Sequence, residues 1–143
     1  MRIYDLIRNQ ETYCAEAGQF VLEVAKAMVD RNIGAVPVLR DGALIGIFSE
    51  RDLMRRVVVE GCPAHNTRVE DVMTMEPLTV TPEETLEACM QLMSQHGFRH
   101  LPVCQGAKVL GVVSLRDLML HDLSEKSDEV RMMRAYIQAG PEV

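Results

Sequence analysis

A glycine, a serine, an arginine and an aspartate recur at one spacing in two places. They are Gly46, Ser49, Arg51 and Asp52 in GIFSERDLM, then Gly111, Ser114, Arg116 and Asp117 in GVVSLRDLM. A serine hydroxyl and an arginine fork can both hold phosphate oxygens. A carboxylate one residue on can accept from two neighbouring hydroxyls, as a ribose presents them. If a strand runs into a helix at each serine, free N–H groups and the positive end of the helix dipole add to the attraction for an anion.

The same residues have a second use. Ser-x-x-Asp is a capping box, in which the serine side chain accepts from the third residue's N–H and the aspartate reaches back to the serine N–H. Capping needs only Ser and Asp, whereas the recurring Arg goes beyond it. Both roles stay open on spacing alone, and the two are compatible.

The motifs lie in a larger duplication. Adding 65 aligns Met28 with Met93, Pro37 with Pro102, Val38 with Val103 and Asp52 with Asp117 without a gap. Each copy reads β-α-β-β-α, a mixed α/β pattern. In the second copy, Thr81, Pro82 and Glu84 predict a capped helix start, Leu86, Met90 and Met93 its apolar stripe, and Gly97 its end. Asp41-Gly42 and Gly106-Ala107-Lys108 predict hairpin turns. Closing helices are expected over residues 50–59 and 115–123, with a separate final helix after Ser124 whose apolar face is Val130, Met133 and Ile137. One copy buries too little to stand alone, so two copies are expected face to face about a pseudo-two-fold axis, sharing one core. The organisation expected is a first repeat over 1–60, a connector over 61–71, a second repeat over 72–123, and a C-terminal helix and tail over 124–143.

Composition narrows the chemistry. The chain has 143 residues, a net charge of −6, no Trp and 4% aromatic residues. It lacks the basic stripe and the rings that nucleic-acid binding calls for. No apolar run is long enough for a membrane span, and the amino end does not read as a signal peptide. Cys14, Cys62, Cys89 and Cys104 are scattered without a CxxC pair, so reduced, mostly buried thiols in a cytoplasmic protein are expected. His65, His96, His100 and His121 form no metal-ligand spacing, and neither motif serine has a histidine placed as its base. Neither a metal site nor an enzyme is expected.

The segments NIGAVPVLRDGALIGIFSERDLM, VEDVMT and HGFRHLPVCQGAKVLGVVSLRDLM together resemble a pair of CBS (cystathionine beta-synthase) domains, a Bateman module, over about residues 1–123. The resemblance implies a regulatory module binding AMP, ADP, ATP, S-adenosylmethionine or NAD(H) between tandem repeats. It also implies a homodimer and a separate target protein. Carried onto this chain, one site would use Ser114, Arg116 and Asp117, with Thr79, Val80, His100, Leu101 and Pro102 around base and phosphate. The other would use Ser49, Arg51 and Asp52, with Ala35, Val36 and Pro37. The copies are unequal: Thr79-Val80 answers to Cys14-Ala15, Arg99-His100 to Gly34-Ala35, and Leu120-His121 to Arg55-Arg56. The second copy is therefore expected to be the better equipped. An oligomeric scaffold that binds no nucleotide is the alternative.

Overall fold

The computed structural model describes residues 1–138. Two hairpins carry the repeat. In the first, β2 (Ala35–Arg40) and β3 (Ala43–Ser49) turn on Asp41 and Gly42, at φ of 51° and 80°. Positive φ at both positions is what an Asp-Gly turn supplies. In the second, β5 (His100–Gln105) and β6 (Lys108–Ser114) turn on Gly106 and Ala107, and Lys108 is already paired with Gln105. The registers correspond, with Ala35 opposite Ser49 and His100 opposite Ser114. Each motif serine thus leaves its strand beside the start of the neighbouring one.

β1 (Ala15–Glu16) lies parallel to β2, and Val80 makes the equivalent parallel bridge to Val103. β4 (Thr74–Met75) completes a sheet of order β1-β2-β3-β4, while β5 and β6 form a second, two-stranded sheet. Helices α2 (Val21–Arg31) and α4 (Leu86–His96) both end on a left-handed residue, Asn32 and Gly97.

The start of α4 differs from expectation. Thr81 opens a tight turn, accepting from Glu84 N at 3.1 Å, and Thr85 is the cap, its hydroxyl accepting from Ala88 N at 3.2 Å. The reason lies at the amino end of the chain. Ile3 N donates to Glu84 O and Tyr4 N to Pro82 O, each at 2.9 Å, so these carbonyls are taken by α1 (Ile3–Ile7).

The closing helices differ from each other. α3 (Glu50–Asp52) passes directly into a π-helical stretch, Leu53–Val58, ahead of Gly61 at φ 70°. α5 (Leu115–Gln138) is continuous, so the predicted closing and final helices are one. No Gly or Pro lies between Leu115 and Gln138 to break it.

There are two cores where one was expected. Val21, Val24, Met28, Val36, Val38, Phe48 and Val57 of the first repeat are joined by Val69, Val72 and Met73, which lead into the second. Leu86, Cys89, Met93, Leu101, Val103, Val113 and Leu118 are joined by Ile3 and Ile7, which lead into the first. Each repeat lends its opening segment to the other's core. Gly46 and Gly111 are the crossing points. A Cβ at Gly46 would sit 2.8 Å from Thr74 O, and one at Gly111 2.9 Å from Ile7 Cβ. The motif glycine is there because the other repeat's opening segment passes over it.

Candidate functional site

The two motif aspartates share one capping hydrogen bond, from their N–H to the serine hydroxyl three residues back, and have opposite surroundings. Asp52 is 8% exposed, the one buried charged residue among those described. Its Oδ2 accepts from Ser49 N at 3.0 Å and from Ser49 Oγ at 3.1 Å, while Asp52 N donates to Ser49 Oγ at 3.2 Å. Its Oδ1 accepts from Thr74 Oγ1 at 3.1 Å and lies 3.7 Å from Arg56 Nε. Arg56 is fixed in turn by donating to Met73 O at 2.7 Å. Around Asp52 the capping box is complete, and the carboxylate is occupied on both oxygens.

In the second repeat Asp117 N donates to Ser114 Oγ at 3.1 Å, but the carboxylate is exposed and has no hydrogen-bond or ionic partner among the described residues. It borders a cleft of about 340 Å³ lined by Leu6, Asn9, Gln10, Val112, Val113, Asp117 and His121. The repeat offset of 65 maps Asn9 onto Thr74, Gln10 onto Met75 and His121 onto Arg56. The side chains that close over Asp52 are therefore replaced by ones that leave Asp117 open. At the same edge, β4 supplies main chain to β3, whereas β6 is met by a side chain. Gln10 Nε2 donates to Val112 O at 3.0 Å, and Val112 N donates to Gln10 Oε1 at 2.9 Å.

The arginines divide in the same way. Arg51 donates to Gly97 O at 3.0 Å across the repeats, while Arg116 is exposed with no polar partner among the described residues. His100 is mostly buried. Desolvation pushes its imidazole below the ordinary 6.5, Arg99 adds to this, and Glu50 and Asp117 pull the other way. A Cβ at Gly34 would lie 3.3 Å from the His100 ring, so that ring sits where the two repeats meet.

The structure thus gathers Ser114, Asp117 and His100 in one neighbourhood, but of these only Asp117 lines the cleft, and exposed Arg116 is not among its walls. Thr79 is exposed and Val80 buried in its bridge. The side chains of Leu101 and Pro102 are buried, as are Ala35, Val36 and Pro37. None of these lines the cleft, whose apolar wall is Val112 and Val113 with Leu6. The sequence reading missed Leu6, Asn9, Gln10, Val112, Val113 and His121 as lining residues. Extending the offset of 65 to the first ten residues points to Leu6, Asn9 and Gln10, since it pairs YDLIRNQ with VEDVMTM.

A wider groove, about 570 Å³, runs beside β3 and β4 and is lined by Arg40, Leu44, Ile45, Glu70, Asp71, Met73, Met75 and Glu76. Its one arginine is ion-paired with Glu70. Three carboxylates against one engaged cation make this the wrong field for phosphate. All four cysteines are free thiols, and burial holds Cys89 up at about 11, so it stays protonated and serves as core.

Comparison with known proteins agrees with this architecture. The family model for the CBS domain matches twice, over residues 5–59 and 69–124. A mitochondrial CBS domain-containing protein of Arabidopsis thaliana, CBSX3, is 38% identical over 84% of this chain, which spans 61% of that relative's length. YhcV, a CBS domain-containing protein of Bacillus subtilis, is 36% identical over 76% of this chain and 77% of its own. A solved CBS-domain structure from Burkholderia ambifaria superposes with a TM-score of 0.81 at 32% identity, covering 87% of this chain and 95% of that one. The CBS domain pair of MJ0100, solved with 5'-methylthioadenosine and S-adenosyl-L-methionine, shares the fold at a TM-score of 0.79 and 20% identity, over 87% of this chain and 98% of its own. The chain belongs to the CBS-domain family, as a tandem pair of repeats. No helix among the described residues is long and apolar enough to cross a membrane.

Proposed function

We propose that this CBS pair is a regulatory module without catalysis of its own, which binds one adenosine compound beside Asp117 and passes its occupancy to a partner protein in the cytoplasm. One observation carries the reading: Asp117 has its carboxylate unengaged at the mouth of a cleft, where Asp52 is saturated. A cleft of about 340 Å³ is at the small end of the ligand-pocket range, roughly 300–1,000 Å³. That favours AMP or another mononucleoside over NAD(H). Asp117 would accept from the ribose hydroxyls, Val112 and Leu6 would flank the base, and Ser114 and Arg116 would reach phosphate. The adenosine ligands bound by the MJ0100 pair point the same way.

Thermal unfolding with AMP, ADP, ATP, S-adenosylmethionine and NAD(H), beside a guanine nucleotide, tests this. A rise with one adenosine ligand, lost in Asp117→Ala, is the expected result, because a ligand that binds only the native state stabilises it. No rise with any of them would leave the second reading, an oligomeric protein-interaction scaffold whose motifs only cap helices. The saturated Asp52 is the observation that favours that alternative in the first repeat.

A further inference from the structure

Beyond Glu125, helix α5 leaves the body: every residue whose exposure is described from Lys126 to Ile137 is exposed. A helical stretch of this length is marginal in water by itself, and this one carries apolar side chains at a regular interval. Met119, Leu123, Lys126, Val130, Met133 and Ile137 follow one another at steps of 4, 3, 4, 3 and 4. That is the alternation of a coiled-coil seam, and five of the six are apolar. Their exposures run from 45% at Val130 to 75% at Ile137.

The one polar seam position is neutralised within its own helix, because Lys126 Nζ lies 3.0 Å from Asp122 Oδ2. The opposite side of the helix is mostly polar, with Glu125, Asp128 and Arg131, the last two ion-paired, and Met132 as its large apolar exception. Leu118 is buried in the second core, so the body supplies the nucleus from which the outer turns propagate.

We propose that the outer half of α5 forms a parallel, in-register two-stranded coiled coil with a second copy of this chain. The flanking charges select both the partner and the direction. Taking Leu123, Val130 and Ile137 as the a positions, Glu129 is a g residue and Arg134 is the e residue of the next heptad. Neither has an ionic partner among the described residues. In a parallel pair of identical chains, g faces the partner's following e, so Glu129 meets the partner's Arg134 twice about the two-fold axis. An antiparallel pair would set g against g and bring acidic Asp122 and Glu129 together. The seam joins the two bodies at one end and is independent of nucleotide binding.

Cysteine crosslinking of the full chain tests the geometry. Met133→Cys at the seam and Met132→Cys one residue off it are both exposed sites, so neither should disturb folding. Under mild oxidation Met133→Cys should give a covalent dimer, while Met132→Cys should stay near the unsubstituted protein, whose four native thiols set the background. Adding Arg134→Glu should slow the Met133→Cys crosslink roughly tenfold, since two attractions become two repulsions. Adding Glu129→Arg as well should restore it. Equal crosslinking at both positions, crosslinking at neither above background, or no rescue by the second reversal would overturn the proposal.

Discussion

Asp52 and Asp117 occupy the same position in two copies of one motif, and the motif does not say what either does. Both follow a serine that caps a helix, yet one carboxylate is buried under a threonine and an arginine and the other faces a cleft. What decides between them lies outside the motif: Thr74 against Asn9 on the segment the opposite repeat contributes, and Arg56 against His121 one turn further along the repeat's own helix. A duplicated signature is thus split into a structural half and an accessible half by the residues around it.

The difference can be broken most forcefully at Asp52. Replacing it with Ala removes two acceptor oxygens that satisfy Ser49 and Thr74 and leaves Arg56 without its charge partner. Hydrogen bonds to a charged group contribute ~1.5–3 kcal/mol each, so Asp52→Ala should cost about 3 kcal/mol in denaturant unfolding. Asp117→Ala should cost under ~1 kcal/mol, since its exposed carboxylate makes no such bonds. Equal losses would erase the distinction.

Ligand binding should invert the order. Calorimetric titration is expected to show Asp117→Ala weakening the adenosine compound ~10-fold or more, while ligand sites of equal affinity in the two repeats would count against the asymmetry. A smaller effect belongs to the crossing residues themselves. Thr74→Val leaves Asp52 one donor short and should lower stability by about 1 kcal/mol, whereas Asn9→Val, its counterpart, should leave unfolding unchanged in the same denaturant series.

The smallest expected effect is a pH dependence confined to one repeat, because His100 is matched by Ala35. Desolvation lowers the His100 pKa from 6.5, so the folded state binds this proton less readily than the unfolded chain. Stability is then full above 6.5 and is lost as pH falls below it towards the folded value. Melting temperatures of the parent between about pH 7.5 and about pH 5.5 should fall more steeply than those of His100→Ala. Parallel slopes would remove His100 from the account.

Much of the fold was legible because local signals and duplication agreed. Asp41-Gly42 and Gly97 did what their residue types demand, and the repeat supplied the layout. Thr81 misled because the residues after it have the composition of a helix start, and only the distant Ile3 and Tyr4, by taking the carbonyls of Glu84 and Pro82, hold the chain out of helix there. The π-helical stretch after Asp52 has no signature in LMRRVV. The two-core arrangement was hidden for a related reason: periodicity says that Ile3 and Ile7 are buried, but not in which repeat. At the site, Ser114 and Asp117 could be read directly, while the walls of the cleft could not, since Asn9 and Gln10 lie more than a hundred residues from Asp117 in sequence.

The exchange of opening segments also orders how the protein can be made. Ile3 and Ile7 leave the ribosome before the other residues of their core, and their seats beside Val113 and Leu118 follow more than a hundred residues later. The first repeat, for its part, cannot close until Met73 has emerged. The first core thus has all its residues once Met73 is out, whereas the second waits for Leu118, so the second closes later and through contacts long in sequence. A nascent chain stalled between the repeats would leave Ile3 and Ile7 with nowhere to go.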